Sequence, residues 1–333
     1  MPAPLSKRAL LNRIAEAVYA SGWNLLYEPG ELVHPFKLRV FKEGESYGLL
    51  IYIWSLTHGG GAARPKNEYR IQMTGVDSTL KFLTGYKTLL LGWREESRVF
   101  VGFDVQKHRR STSRSPSIQV QIETIEKARY DQIAFQRKGN NEIAVAFLPG
   151  LFAEYASRQD ALHQFAGNEN ELKVLEQAAS EEGLDEKSLD GLPFERQVMV
   201  RAVVLKKRES SFRVRVLSAY ENHCAVCDLQ LDLLDAAHII PVGELGSNDM
   251  TCNGMALCKN HHLAYDHGLL KVDDLYRIHP NQRKIDEYGK LRLTDGLDLF
   301  LNALHKEIRI PLSPTDRPRP EYLRRGMELR ELL

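Results

Sequence analysis

The 333-residue sequence is poor in cysteine: it has four, all between positions 224 and 258. That clustering excludes a disulfide framework spread along the chain. With two of the four in a CxxC pair and a third in a CxxH pair, thiolate ligation of a metal accounts for them better than disulfides. Long apolar runs are also missing, and no stretch approaches the roughly 18 residues of a membrane span. The opening MPAPLSKRALLNRIAEAVYASGW has neither an uninterrupted apolar core nor an A-x-A cleavage pattern, so it does not read as a signal peptide. A cytoplasmic protein with no membrane contact is the expectation. There is no Walker loop, dinucleotide fingerprint, internal repeat or low-complexity tract, which leaves nucleotide binding without support.

A surplus of charge is likewise absent, since 45 basic side chains stand against 44 acidic ones for a formal net charge of +1. The sum alone argues against a nucleic-acid partner, but the distribution is uneven. Residues 168–190 carry eight acidic side chains against two basic ones. Lys107, His108, Arg109, Arg110 and Arg114 cluster with no acid among them, and Arg201, Lys206, Lys207, Arg208, Arg213 and Arg215 face Glu209 alone. Local basic patches of this kind attract phosphate even when the average is neutral.

What is present is an ordinary globular composition, 43% hydrophobic and 27% charged, over a length sufficient for two domains with separate cores. Leu10, Leu11, Ile14, Ala17 and Val18 recur at helical spacing behind Ser6, a natural N-cap, and predict a first helix over 6–22. Seven strand-like runs follow, at 36–41, 47–56, 69–74, 87–93, 98–105, 117–122 and 142–148, several alternating apolar with polar residues and separated by Gly, Asn and Ser. A second helix is expected between Gly150 and Gly167. Residues 1–167 therefore read as an α+β domain, a bent mixed or antiparallel sheet with a helix at each end. The acidic stretch 168–192 reads as a linker with some helix in it, and 193–333 as a second domain entered through a basic helix.

Two loops of the first domain are candidates for contact with a nucleic-acid backbone. THGGGAARPKNEYRIQ joins a glycine triplet to Arg64, Lys66 and Arg70, and QKHRRSTSRSPS joins Lys107, Arg109, Arg110 and Arg114 to hydroxyl donors suited to phosphate oxygens.

The densest chemistry lies at 223–270, HCAVCDLQLDLLDAAHIIPVGELGSNDMTCNGMALCKNHHLAYDHGLL. Cys224 and Cys227 form one ligand pair, and Cys258 and His261 form another some thirty residues later. Two such knuckles can close a tetrahedron around a structural Zn2+ and pin distant segments together. Cys252 is left as a spare thiol. His238 ends the apolar run LLDAAHIIP, so its imidazole projects from a strand terminus. Asn253-Gly254 reads as a turn, and MALCKNHHLAYDHG has spacing suited to a helix. On that helix His261 and His262 point about 100° apart, so one can complete the zinc site while the other faces elsewhere. His262 and Asp266, four apart, share a face and can hold a divalent cation.

The residues AAHIIP around His238, NGMALC around Asn253 and HHLAYDHGLL around His262 resemble the HNH nuclease family with its ββα-metal fold. The order FRVRVLSAYENHCAVC, DAAHIIP, NGMALC, YDHGLL looks like the branch found in bacterial restriction endonucleases, over about 80 residues. The resemblance implies that His238 activates the attacking water, that Asn253 ties the loop down or orients the histidine, and that His262 binds the catalytic Mg2+ or another divalent ion. Many members carry an acidic residue or a second histidine just before the general base, where this chain has Ala237. Asp266 is expected to compensate, with Asp235 and His267 as substitutes.

The expectation is a metal-dependent endonuclease of restriction or defence type acting on double-stranded DNA, with an N-terminal domain that reads a sequence or a modified base. One active site per chain makes a homodimer the expected state for cutting both strands. Two alternatives stay open: a zinc-stabilised nucleic-acid-binding protein without catalysis, and a defence nuclease whose N-terminal domain senses a signal other than DNA.

Overall fold

Ser6 caps the first helix as its position predicts. Its hydroxyl accepts from the Ala9 N–H at 3.2 Å and satisfies one free donor of α1, Lys7–Ala20, whose Leu10, Ile14, Ala17 and Val18 are buried. The strands that follow are β1 Asn24–Tyr27, β2 Phe36–Lys42, β3 Glu45–Ser55, β4 Thr57–His58, β5 Glu68–Gln72, β6 Tyr86–Arg94, β7 Val99–Phe103 and β8 Ser117–Gln121. Next come α2 Ile122–Asp131, β9 Ile133–Lys138, β10 Glu142–Phe147, α3 Phe152–His163, α4 Glu169–Ala179, α5 Glu186–Asp190 and α6 Phe194–Ala219. The computed structural model describes residues 4–28, 32–58, 65, 67–76, 79–110, 116–180 and 184–331, and divides into units Met1–Lys207 and Arg208–Leu333.

In the first unit a seven-stranded sheet has the order β1-β2-β3-β6-β7-β10-β9. Every pair in it is antiparallel except β3 with β6, so the sheet is mixed, as the sequence suggested. Both faces of the central strands are covered. Leu49, Ile51 and Ile53 of β3 join a core with α1, α3 and α4, whereas Tyr52 and Trp54 point into a second core with β5, β8 and α2. Burial on two sides explains why GLLIYIW is a continuous apolar run rather than an alternating one. A smaller three-stranded sheet, β4-β5-β8, closes the second core.

The segment expected as a linker with some helix in it is built into this unit. The acidic segment 168–192 is largely helical, and Leu172, Leu175, Ala178, Ala179, Leu189 and Leu192 are buried in the first core. Of the acids on α4, Glu169 is exposed and Glu171 and Glu176 are half-buried. The division into units falls between Lys207 and Arg208, inside α6.

The second unit contains β11 Leu234–His238, β12 Gly254–Cys258, α7 Lys259–Asp266, β13 Leu270–Val272, β14 Ile278–Pro280, α8 Gln282–Lys290, α9 Leu297–Asn302 and α10 Pro320–Glu331. β11 and β12 pair antiparallel from Leu234↔Cys258 to His238↔Gly254, and α7 follows directly, which gives the expected ββα order. The helix expected over 255–268 starts only at Lys259, because all five residues of GMALC are buried and form a strand that β11 completes. Within 295–307, whose sequence DGLDLFLNALHKE has helical spacing throughout, only α9 is helical.

Gly254 is demanded by a close approach. A Cβ there would stand 2.4 Å from Val216 Cγ2 and 2.9 Å from Phe212 Cζ, so any larger residue would push α6 off the hairpin end.

Candidate functional site

The four cysteine and histidine ligands predicted from spacing converge. Cys224, Cys227, Cys258 and His261 are all buried, and one donor atom from each lies within 4.8 Å of the others. His261 Nδ1 stands 3.1 Å from Cys258 Sγ and 3.7 Å from Cys224 Sγ. The Cys258 backbone N–H donates to Cys224 Sγ at 3.3 Å, the contact of a knuckle in which the amide supports a thiolate. Sulfur atoms about 2.3 Å from a common centre would sit at such separations, so the donor set fits Zn2+. The hydrogen bond between Cys224 and Cys258 lowers the first thiol and, with burial, pushes the second up to about 11. A cation at the centre removes that penalty on the later thiolates. Cys252, the spare thiol, is buried elsewhere in the unit.

His238 stands at the end of β11, as its sequence context indicates. Its ring lies flat against Phe212, with centroids 3.8 Å apart and planes 11° from parallel. Nε2 is 3.1 Å from Asp249 Oδ1, and the other carboxylate oxygen of Asp249 takes a 2.6 Å ion pair from Arg208. Burial pushes the Asp249 carboxyl up, but hydrogen bonds from His238 and Arg208 and their charges outweigh it and hold it below the usual carboxylate range. An ionised Asp249 accepts from Nε2–H and leaves Nδ1 of His238 with its lone pair.

Asn253 is fully buried and serves the loop. Its Oδ1 accepts from Ile240 N–H at 3.0 Å, and its Nδ2 donates to the Asn248 carbonyl at 2.8 Å. Those two bonds pin both ends of segment 240–248, and the Asn253 carbonyl accepts from Ile239 N–H at 2.9 Å. Of the two roles that the resemblance left open, the contacts are those of a tie.

His261 and His262 diverge as helical geometry requires. His262 turns away from the cysteines and lies between two carboxylates: Asp235 Oδ2 is 3.4 Å from Nδ1, and Asp266 Oδ2 is 3.2 Å from Nε2. Asp235 and Ala237 are two apart on β11 and share a face. Asp235 also binds Lys259 at 2.7 Å and Arg213 at 3.0 Å. Burial pushes the Asp235 carboxyl up, while its bonds from His262 and Lys259 and the two cationic charges carry it far below the usual range. An imidazole binds a cation through one nitrogen, so Asp235 on Nδ1 can fix the tautomer while Nε2 and Asp266 form an open, partly exposed pair.

Arg330 of α10 binds these parts together. Buried to 3% exposure, it donates to the Ile239 carbonyl at 2.7 Å and the His238 carbonyl at 3.2 Å, approaches Asp266 at 3.4 Å, and stacks over Tyr265 at 3.9 Å. Beside Asp249 a cleft of ≈ 600 Å³ is lined by Arg208, Arg215, Ser247, Asn248 and Thr251, among others. Sequence reasoning did not single out Asp249 or Phe212, and it saw Arg330 only among the five arginines of the tail DRPRPEYLRRGMELRELL, expected along phosphate or another subunit, whereas the structure buries it. The only signals were an acid eleven residues after His238 and a basic tail, and neither spacing is diagnostic.

The basic run at 201–215 is mostly committed to internal contacts. Arg201 pairs with Glu186, Lys207 caps the carbonyls of Ala179 and Ser180, and Arg208, Arg213 and Arg215 bind Asp249, Asp235 and the Asp249 carbonyl. Of the loop residues expected at a nucleic-acid backbone, Lys107, Arg109 and Arg110 are exposed in one turn after β7, and Arg70 is half-buried on β5. Arg64, Lys66 and Arg114 lie outside the described residues.

Comparison with known proteins separates the same two regions. Residues 224–273 match the family model HNH endonuclease, and residues 47–156 match the family model methylase-associated X1. No curated protein matches the chain. Among solved structures, a modification-dependent TagI restriction endonuclease is similar at 13% identity and a TM-score of 0.30, over 84% of this chain and 80% of that one. A score that low supports no statement about the activity of this chain. No helix among the described residues is long and apolar enough to cross a membrane.

Proposed function

We propose, from the HNH endonuclease domain that this chain carries, that the protein is a divalent-metal-dependent DNA endonuclease of restriction or defence type. The observation that carries the reading is the pairing of His238 with Asp249 at a strand end, beside a loop pinned by Asn253 and within the segment matched to the HNH family. Asp249 holds Nε2–H, and Phe212 fixes the ring plane, so Nδ1 is the available base. It takes a proton from a water molecule as that oxygen bonds to phosphorus, and the bond to the leaving strand's oxygen breaks. His262 Nε2 and Asp266 would hold the catalytic cation, Mg2+ or a similar ion. Bound there, it supplies positive charge at the phosphate and leaving oxygens. Asp235 orients His262, in place of the ligand expected at Ala237. Arg330 keeps the end of β11 and Asp266 in register, and Arg208 and Arg215 line the cleft where a phosphate backbone would pass.

Cys224, Cys227, Cys258 and His261 would hold a structural Zn2+ that fastens the CxxC and CxxH segments together, apart from the chemistry. The first unit, most of whose sheet lies within the methylase-associated X1 match, recognises the DNA, with Arg70, Lys107, Arg109 and Arg110 among its backbone contacts and Arg64, Lys66 and Arg114 completing the loops. Cleavage of both strands of a duplex calls for two chains, hence a homodimer.

The test is plasmid cleavage with Mg2+ or Mn2+ by the wild type and by His238→Ala. The variant should lose roughly 10²–10⁴-fold in rate. Unchanged metal-dependent cleavage would remove the assignment to this site and leave a zinc-held binding module.

A further inference from the structure

We propose that the outward face of the β4-β5-β8 sheet enters the major groove of duplex DNA and reads base edges through Glu68, Arg70, Gln119 and Gln121. The proposal rests on the reading of the first unit as the one that recognises DNA. Side chains alternate across a strand, so register decides which of them share a face. Ile71 of β5 and Ile118 and Val120 of β8 point into the second core. Glu68, Arg70 and Gln72 therefore point the other way, opposite Gln121, Gln119 and Ser117 in that order. Thr57 of β4 stands beside Arg70 in the same row. None of these side chains is apolar, and Gln72, Gln119 and Gln121 are exposed.

Arg70 is the side chain that asks for a partner. Arg13, Arg94, Arg129, Arg137 and Arg196 of the same unit each pair with a glutamate. Half-buried Arg70 has no hydrogen bond or ion pair among the described residues, and the side chains of Glu68, Gln119 and Gln121 have none either. A guanidinium fork, two amides and a carboxylate thus stand in two neighbouring rows with their donors and acceptors uncommitted.

The chemistry selects the class. A guanidinium pairs with guanine O6 and N7, an amide with adenine N6 and N7, and a carboxylate accepts from cytosine N4, all on the major-groove edge. A protein partner would call for an apolar centre, which this face lacks. The dimensions agree as well. β5 and β8 pair over five residues each, and a two-stranded ribbon is what a groove about 12 Å wide admits. Successive rows on one face are about 7 Å apart, close to two base-pair steps of about 3.4 Å. A cleft of ≈ 320 Å³ lined by Asn67, Gln119, Gln121 and Gln136, among others, continues the polar surface past the free edge of β8. The exposed turn with Lys107, Arg109 and Arg110 precedes β8 in the chain and supplies positive charge for the phosphates beside the groove.

The test uses full-length His238→Ala, which should bind without cutting, and selects from random-sequence duplexes made with cytosine or with 5-methylcytosine. The selected duplex should bind roughly 10³-fold tighter than a scrambled one. Replacing its purines by 7-deazaguanine and 7-deazaadenine removes N7 from the major groove and leaves the minor groove unchanged, and should cost roughly tenfold per contacted base. Arg70→Lys keeps the charge but loses the fork, and Gln119→Ala loses the amide. Each should lower the preference roughly tenfold while affinity for the scrambled duplex and the melting temperature hold. Arg110→Ala should weaken both duplexes alike. A preference that survives the 7-deazapurines or both face variants, or salt-sensitive binding with no sequence selected from either pool, overturns the reading face and keeps the DNA reading. No affinity for any duplex overturns both.

Discussion

Two neighbouring groups of candidate metal ligands in the second unit differ in almost every physical respect. The Cys224, Cys227, Cys258 and His261 group is buried and offers four donors. The His262 group is partly exposed, with side-chain exposures of 27% for His262 and 49% for Asp266, and its carboxylates are shared with Lys259, Arg213 and Arg330. A closed tetrahedron leaves no position for a substrate, whereas an open pair of ligands does. The adjacent residues His261 and His262 serve the two groups, and the 100° step of a helix keeps them apart. On the function proposed above, the difference assigns two tasks to the side chains crowded at 223–270, fastening and cutting.

The sharpest way to break this contrast is to open the closed group. Cys224→Ser with Cys227→Ser should lose about one zinc per chain, and with it the fold of the second unit and all cleavage, because metal affinity of this kind is folding free energy. Zinc analysis and circular dichroism check it, and full retention of zinc would sink the four-ligand assignment. A smaller effect is expected at the open group. Asp235→Asn should weaken activation by Mg2+ roughly 10–100-fold while zinc stays bound, and raised Mg2+ should restore part of the rate. An unchanged Mg2+ dependence would deprive Asp235 of its orienting role.

Smaller still is the effect of burial without any chemistry. Glu142 of the first unit has a fully buried carboxylate that takes a 2.8 Å bond from His108 and a 3.4 Å ion pair from Lys138. Burial pushes it up, and those partners with Asn140 more than reverse this, from 4.5 down to about 2. A depressed carboxyl adds stability above its unfolded value and loses it as pH falls from 4.5 towards about 2. Glu142→Gln should therefore lower the melting temperature clearly at pH 7 and much less near pH 3. A difference independent of pH would contradict the ionised state.

Much of the fold was legible because it rests on local pattern. The seven strand runs and the Ser6 cap follow from alternation and capping, and the two ligand pairs follow from spacing. What was not legible depended on distant partners. GMALC shares the apolar spacing of a helix, and only β11 makes it a strand. α2 and β9 both went unseen, and the turn between them is made by Gln132 at φ 67°, with no glycine to mark it. Asp249, Phe212 and Arg330 reach His238 from eleven, 26 and 92 residues away, so no local motif could announce them.

The separation of fastening from cutting is tested most directly by the zinc content of His262→Ala measured alongside its cleavage rate. Retention of about one zinc per chain with cleavage lost is the predicted result, in contrast to His261→Ala, which should lose the metal. Loss of zinc from His262→Ala to the same extent as from His261→Ala would merge the two groups into one site and contradict the account.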